Sequence, residues 1–301
     1  EPLKLHIMYG IDGRTELAET TLDHLSGHGG ATPVRIGNGA VDQVQLDIYG
    51  ELLDAVYLTN KYGEAISHEG WQHVTQIVNH VCDTWHQADV GIWEMRGEKH
   101  HFLHSRLMCW VALDRAIRLA SKRSLPAPFA QWNDTRQAIH SDIWANFFNA
   151  ERGHFVQYKG GTALDGSMLL MPLVRFIGAT DPAWLATLVA IEKTLVRDGM
   201  VYRYRNEDSG MDGLQGTEGA FAACSFWYVE CLARAGQVEK AHQEFEQLLR
   251  YANPLGLYAE EFDCHARHLG NTPQALTHLA LISAASFLDR KLDHQKTQWQ
   301  P

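Results

Sequence analysis

Positive charge is scarce in this chain: 26 lysines and arginines face 36 aspartates and glutamates over 301 residues, a formal charge of −10. Phosphate-rich surfaces would be repelled, which argues against nucleic-acid partners and against anionic membranes. Long hydrophobic runs are missing too, and none approaches the roughly 20 residues a membrane-crossing helix requires. Cysteine is sparse: five residues, an odd number, with no Cys-x-x-Cys spacing. That pattern speaks against a disulfide framework. Cys82, Cys109, Cys224 and Cys231 lie in apolar helical stretches, where a free thiol behaves as a small hydrophobe. Reduced thiols are expected of an intracellular, cytoplasmic protein.

Other chemistries fail for want of one component. His100, His101 and His104 cluster, but no acidic or cysteine ligand set completes a metal centre, so neither a metal nor a cofactor is expected. Cys264 and His265 are neighbours, and adjacent side chains rarely converge on one atom as a nucleophile and its base must. Residues 210–219 are rich in glycine yet lack the Lys-Ser/Thr of a phosphate-binding loop. No fixed repeat period runs through the chain, which counts against a stacked α-solenoid.

What is present is helical periodicity. Residues 43–62, 68–87, 104–122, 129–149, 167–177, 182–196, 219–235, 238–251 and 273–290 each read as a helix, bounded by turn signals such as Tyr62-Gly63, Thr180-Asp181-Pro182 and Ala235-Gly236. Two kinds alternate. The stretches 107–113, 221–227 and 279–287 are apolar nearly all round, as for helices buried on every side, whereas 184–193 and 238–249 carry one charged face. Inner helices ringed by outer ones are what an α/α barrel of hairpins requires. Short extended hairpins are expected near 154–158 and 201–204, and longer loops at 27–40, 88–101, 206–218 and 253–272. Residues 1–20 show no helix able to start a ring, and nine helices are too few for six hairpins, so the barrel reads as lacking its first helices.

Two carboxylate-bearing segments fall in those loops. In Gly91-Ile92-Trp93-Glu94-Met95-Arg96-Gly97 a tryptophan sets an apolar plate beside Glu94. Such a plate desolvates a carboxyl, as a general acid needs, while Arg96 would oppose this if it paired with Glu94. A helix-capping ion pair is the competing explanation. In Leu257-Tyr258-Ala259-Glu260-Glu261-Phe262-Asp263 the two glutamates are adjacent, so in extended backbone they point to opposite sides and only one faces a site. Asp263, His265, Arg267 and His268 are partners for the other. A solvated acidic turn is the competing explanation here.

The stretch from Gly91 through Phe102 to Ala116 resembles the general-acid region of the glucoamylase-type family, glycoside hydrolase family 15 (glucoamylase, glucodextranase and bacterial trehalase). The stretch from Gly256 through Asp263 to Ile282 is similar to its general-base region, and residues 8–13, 33–38, 45–51 and 212–227 match further segments in family order. The resemblance implies an all-α (α/α)6 toroid and hydrolysis of α-glucosidic bonds with inversion. Glu94 then matches the general acid and Glu260 the general base, with Glu261 given no catalytic role. Inversion needs carboxyls about 6.5–9.5 Å apart, leaving room for water.

Trp93 and Phe221 are candidates to stack on sugar rings, and Arg35, Asn38 and Gln45 to hydrogen-bond hydroxyls, though each also fits packing or loop bracing. Glu218 fits the pocket or a helix N-terminus equally, and Asp47, on a mostly apolar helix, needs a partner if buried. Similar bacterial proteins carry, upstream, a β-sandwich and a helical Arg-Asp segment that grips the non-reducing glucose, and nothing before Met8 matches it. Residues 1–301 are therefore expected to be the C-terminal major part of the catalytic domain, with the isolated chain inactive or weak. The expected activity is exo-acting release of glucose from α-glucans. The alternatives are a trehalase and a non-catalytic sugar-binding or scaffold fragment. Met95, less polar than many glucan-binding versions, tilts slightly toward trehalose.

Overall fold

The computed structural model describes residues 5–95, 97–205 and 218–298, with side chains to 293. Arg96 and most of the 206–218 loop, including the glycine-rich stretch up to Thr217, lie outside the described residues. Packing divides the chain into two compact units, Glu1–His140 and Ser141–Pro301.

The first unit is built on α1 (Asp47–Tyr62), α2 (His68–Thr84), α3 (Leu103–Arg123) and the first part of α4 (Phe129–Asn146). A small hairpin, β1 (Thr20–Thr21) with β2 (Arg35–Ile36), precedes them. Helix α3 is buried along nearly its whole length, as its all-round apolar sequence predicts. Its charges are matched internally: Asp114 accepts from Arg115 at 2.7 Å, Arg118 at 2.6 Å and Arg136 at 3.2 Å. Gly50 lets α1 lie directly on α3, since a Cβ there would sit 2.3 Å from the Met108 carbonyl oxygen. Arg106 closes the end of α2, donating to the carbonyls of Trp85, His86 and Gln87 just past its last turn.

The second unit holds α5 (Leu170–Leu173), α6 (Pro182–Leu195), α7 (Ala222–Arg234), α8 (Val238–Leu249) and α9 (Ala275–Gln298). Asp181 caps α6 by accepting from Ala183 N at 2.9 Å, with Pro182 in the first turn, as the sequence predicts. Helix α7 is the buried one, and α8 is amphipathic around Val238, Ala241 and Leu248. Two expectations are corrected. The run 167–177 is a 3-10 turn, Gly166–Leu169, plus the four-residue α5, which ends as Arg175 turns left-handed at φ 67°. Helix α9 is not buried on every side: Leu276, Leu279 and Ile282 are 41%, 64% and 61% exposed along one stripe.

Among the described residues, three small sheets complete the unit. Phe148–Asn149 (β3) pairs with His154–Phe155 (β4), and Val196–Arg197 (β5) with Met200–Val201 (β6). A three-stranded sheet in the order Ala220–Phe221 (β7), Glu261–Phe262 (β8), His268–Leu269 (β9) sits at the head of α7.

Candidate active site

In the first unit, Glu94 lies in a tight turn between Asp89 and the start of α3. Its φ of 54° is left-handed, a conformation that costs a non-glycine residue about 1–2 kcal/mol. Gly91, at φ 70°, turns the chain against the Phe102 ring, which a Cβ would meet at 3.0 Å. Met95 is buried, at 2% exposure. It anchors the turn in the core.

Asn38 Nδ2 donates to Glu94 Oε2 at 3.2 Å. Gln43 Nε2 donates to the carbonyls of Glu94 (3.4 Å) and Met95 (3.2 Å), and Gln45 Nε2 donates to Gln43 Oε1 at 3.3 Å. Gln45 is itself buried, so the structure uses it as a brace behind Gln43. Arg35 is on the exposed hairpin and pairs with Glu19 at 3.2 Å. Trp93, which precedes Glu94 in the chain, is half-buried.

Asp89 anchors the loop's base. Fully buried, it accepts from Leu46 N (2.8 Å) at the head of α1 and from Ser105 Oγ (2.8 Å) in the first turn of α3. Burial raises its pKa and those bonds oppose the rise. Asp47 and His104 are also buried, with Oδ2 and Nδ1 3.8 Å apart. Among the described residues no hydrogen bond reaches Asp47 Oδ1 or either ring nitrogen of His104. Burial pushes Asp47 up to about 8 and His104 down to about 3, each toward its uncharged form.

In the second unit, the adjacent glutamates diverge. Glu260 Oε2 accepts from both Asn271 N and Asn271 Nδ2 at 3.2 Å. Glu261, paired in register with Phe221 and Leu269, meets Arg203 Nη2 at 3.1 Å. The same guanidinium binds Glu218 at 2.6 Å, Tyr204 OH donates to Glu218 at 3.2 Å, and the Phe221 ring lies 5.2 Å from Arg203 Cζ. Burial pushes Glu261 up to about 7 against the pull of Arg203. Arg203 is held above its ordinary value: burial works against its charge, but Glu218 and then Glu261 outweigh it. One positive charge cannot neutralise two carboxylates, and Glu218 has the shorter bond.

Asp263 and Arg267 instead close the β8–β9 turn, 2.7 Å apart, and His268 Nε2 lies 2.7 Å from the Tyr251 carbonyl. Phe221 is buried. Arg203, Asn271, Gln43 and Asp89 were not singled out from sequence, because their partners are distant in the chain. Among the described residues no three His, Cys, Asp or Glu side chains are grouped to hold a metal ion.

Comparison with known proteins adds the family context. The profile described as Glycosyl hydrolases family 15 matches residues 2–286. A trehalase of Mycolicibacterium smegmatis is 47% identical over 281 residues, 93% of this chain and 42% of that protein. A trehalase of Mycobacterium tuberculosis is 46% identical over 281 residues, covering 93% and 41%. The chain thus spans less than half the length of these relatives. A glycosidase solved in complex with glucose superposes with a TM-score of 0.70 at 20% identity, over 88% of this chain and 74% of that one.

Proposed function

Since the chain belongs to glycosyl hydrolase family 15, with the all-α (α/α)6 fold of that family, we propose that the protein it represents is a trehalase that cleaves α,α-trehalose with inversion. Glu94 is the general acid and Glu260 the general base. The name carried by the two mycobacterial relatives favours trehalose over the α-glucan substrate expected from sequence. The observation that carries the catalytic reading is the way each glutamate is held. Asn38 occupies Oε2 of Glu94, which leaves Oε1 to carry a proton to the departing oxygen. Asn271 occupies Oε2 of Glu260, which leaves Oε1 to draw a proton from water. Water then attacks the anomeric carbon on the face opposite the leaving group. Trp93 and Asn38 belong to the sugar site beside Glu94. Glu218, with Arg203 and Phe221, walls the region beside Glu261. The free thiols fit a cytoplasmic location.

Inversion at one carbon of trehalose yields one β-glucose, while the other glucose departs with its α configuration intact. NMR of the full-length protein acting on trehalose should therefore show equal α and β anomers at first; α alone overturns inversion. Glu94→Gln and Glu260→Gln should each lose about 100- to 10,000-fold in kcat. Faster turnover of maltose than trehalose would restore the α-glucan reading.

A further inference from the structure

We propose that Gln43 is a positioning residue for the general acid: its side-chain amide holds the left-handed Glu94–Met95 backbone and thereby aims the Glu94 carboxyl. The proposal rests on reading Glu94 as the acid. Main-chain pairing of Asp89 with His100 closes the base of the loop. Nearer Glu94 the described internal bonds are two long ones, Glu94 N to Gly91 O at 3.4 Å and Met95 N to Val90 O at 3.3 Å. Gln43 adds two more of similar length. A glutamate gains nothing intrinsic from φ 54°, so the conformation must be imposed from outside.

Gln43 is placed to impose it. One Nε2 group reaches the two successive carbonyls on either side of the Met95 Cα, those of Glu94 and Met95. Rotation of Glu94 toward ordinary backbone would swing those carbonyls away from that donor. Gln43 is fixed in turn, because the buried Gln45 donates to its Oε1, leaving Nε2 pointed at the turn. Gln45 lies just ahead of α1, whose entry Asp89 pins through Leu46. The path from the entry of α1 to the acid's backbone thus runs through two glutamine amides. Neither amide touches the Glu94 carboxylate, so the effect of Gln43 on chemistry is indirect.

The test compares two substrates in the full-length protein. Trehalose has a poor leaving group and needs the acid; α-glucosyl fluoride expels fluoride with little protonation and does not. Gln43→Ala should lower kcat on trehalose at least tenfold with KM changed less than threefold, and change α-glucosyl fluoride turnover less than about threefold. Gln43→Met, equal in length but unable to donate, should show the same split if the alanine variant does not fold. Equal losses on both substrates, or no loss on trehalose, overturn the proposal. Glu94→Gln run alongside separates the two readings. If it shows the split and the Gln43 variants do not, the clamp alone fails. If Glu94→Gln turns over trehalose normally, the assignment of the acid fails.

Discussion

Glu94 sits on a loop shaped by side chains from elsewhere in its unit, whereas Glu260 is held by main-chain pairing on both sides. Ala222 N donates to the Glu260 carbonyl at 2.9 Å, and Glu260 N to the Asn271 carbonyl at 3.0 Å. A strand register fixes which way a residue faces, because a slip of one would exchange Glu260 for Glu261. Among the described residues, main-chain pairing closes the Glu94 loop at its base, Asp89 with His100, and beyond that the turn relies on amides and a buried carboxylate. The lesson is that two carboxylates of one proposed reaction have different vulnerabilities: one to loss of distant side chains, the other to loss of register or of local room.

Three experiments probe this contrast. The largest effect is expected at Asp89. Asp89→Ala strands the Leu46 amide and the Ser105 hydroxyl in the core, so it should lower unfolding free energy by about 2–4 kcal/mol, measured by urea denaturation. A loss under 1 kcal/mol would mean the loop does not depend on this anchor.

The second concerns Glu261. Its folded pKa of about 7 lies above the ordinary carboxylate value, so the folded state binds more protons between about pH 4.5 and 7. Stability associated with Glu261 is therefore present at low pH and lost as pH rises through 7. Glu261→Gln should remove this slope and make the protein more stable than wild type at pH 8, by on the order of 2 kcal/mol, read from melting curves at pH 5 and pH 8. An unchanged slope would show that Arg203 keeps Glu261 ionised in the folded protein.

The smallest effect tests the strain at Glu94 itself. Neither Glu94→Gly nor Glu94→Ala retains the carboxyl, but only glycine accepts φ 54° without penalty. The glycine variant should be more stable than the alanine variant by about 1 kcal/mol. A more stable alanine variant would show that the turn relaxes to ordinary backbone once the carboxyl is gone.

The helices were legible because apolar period and turn residues are local signals. Asp181-Pro182 marks the start of α6, and the all-round apolar runs mark α3 and α7 as buried. Boundaries moved where a long-range partner intervened. Helix α1 begins at Asp47 and not at 43 because Gln43 is engaged with Glu94 and Met95, 51 and 52 positions away. Helix α4 stops at Asn146 because Phe148–Asn149 pairs with β4. The divergence of Glu260 and Glu261 followed from the alternation of extended backbone. Their partners did not: Arg203 meets Glu218 and Glu261 from a short segment that reads only as part of a hairpin. The burial of Met95 was hidden because its neighbours Trp93 and Glu94 suggest a site-facing loop.

Gly270 has an implication for anyone engineering this protein. Exchanging loop glycines for alanine is a standard route to greater heat resistance, since it removes freedom from the unfolded chain. At Gly270 that route is closed twice over. Its φ of 70° disfavours any side chain, and a Cβ would stand 2.8 Å from Glu260 Oε2. The smallest possible substitution, a single methyl, would push on the carboxylate proposed to activate water. Thermostabilisation libraries should leave this codon untouched, and a screen that scores folding alone would not reveal why.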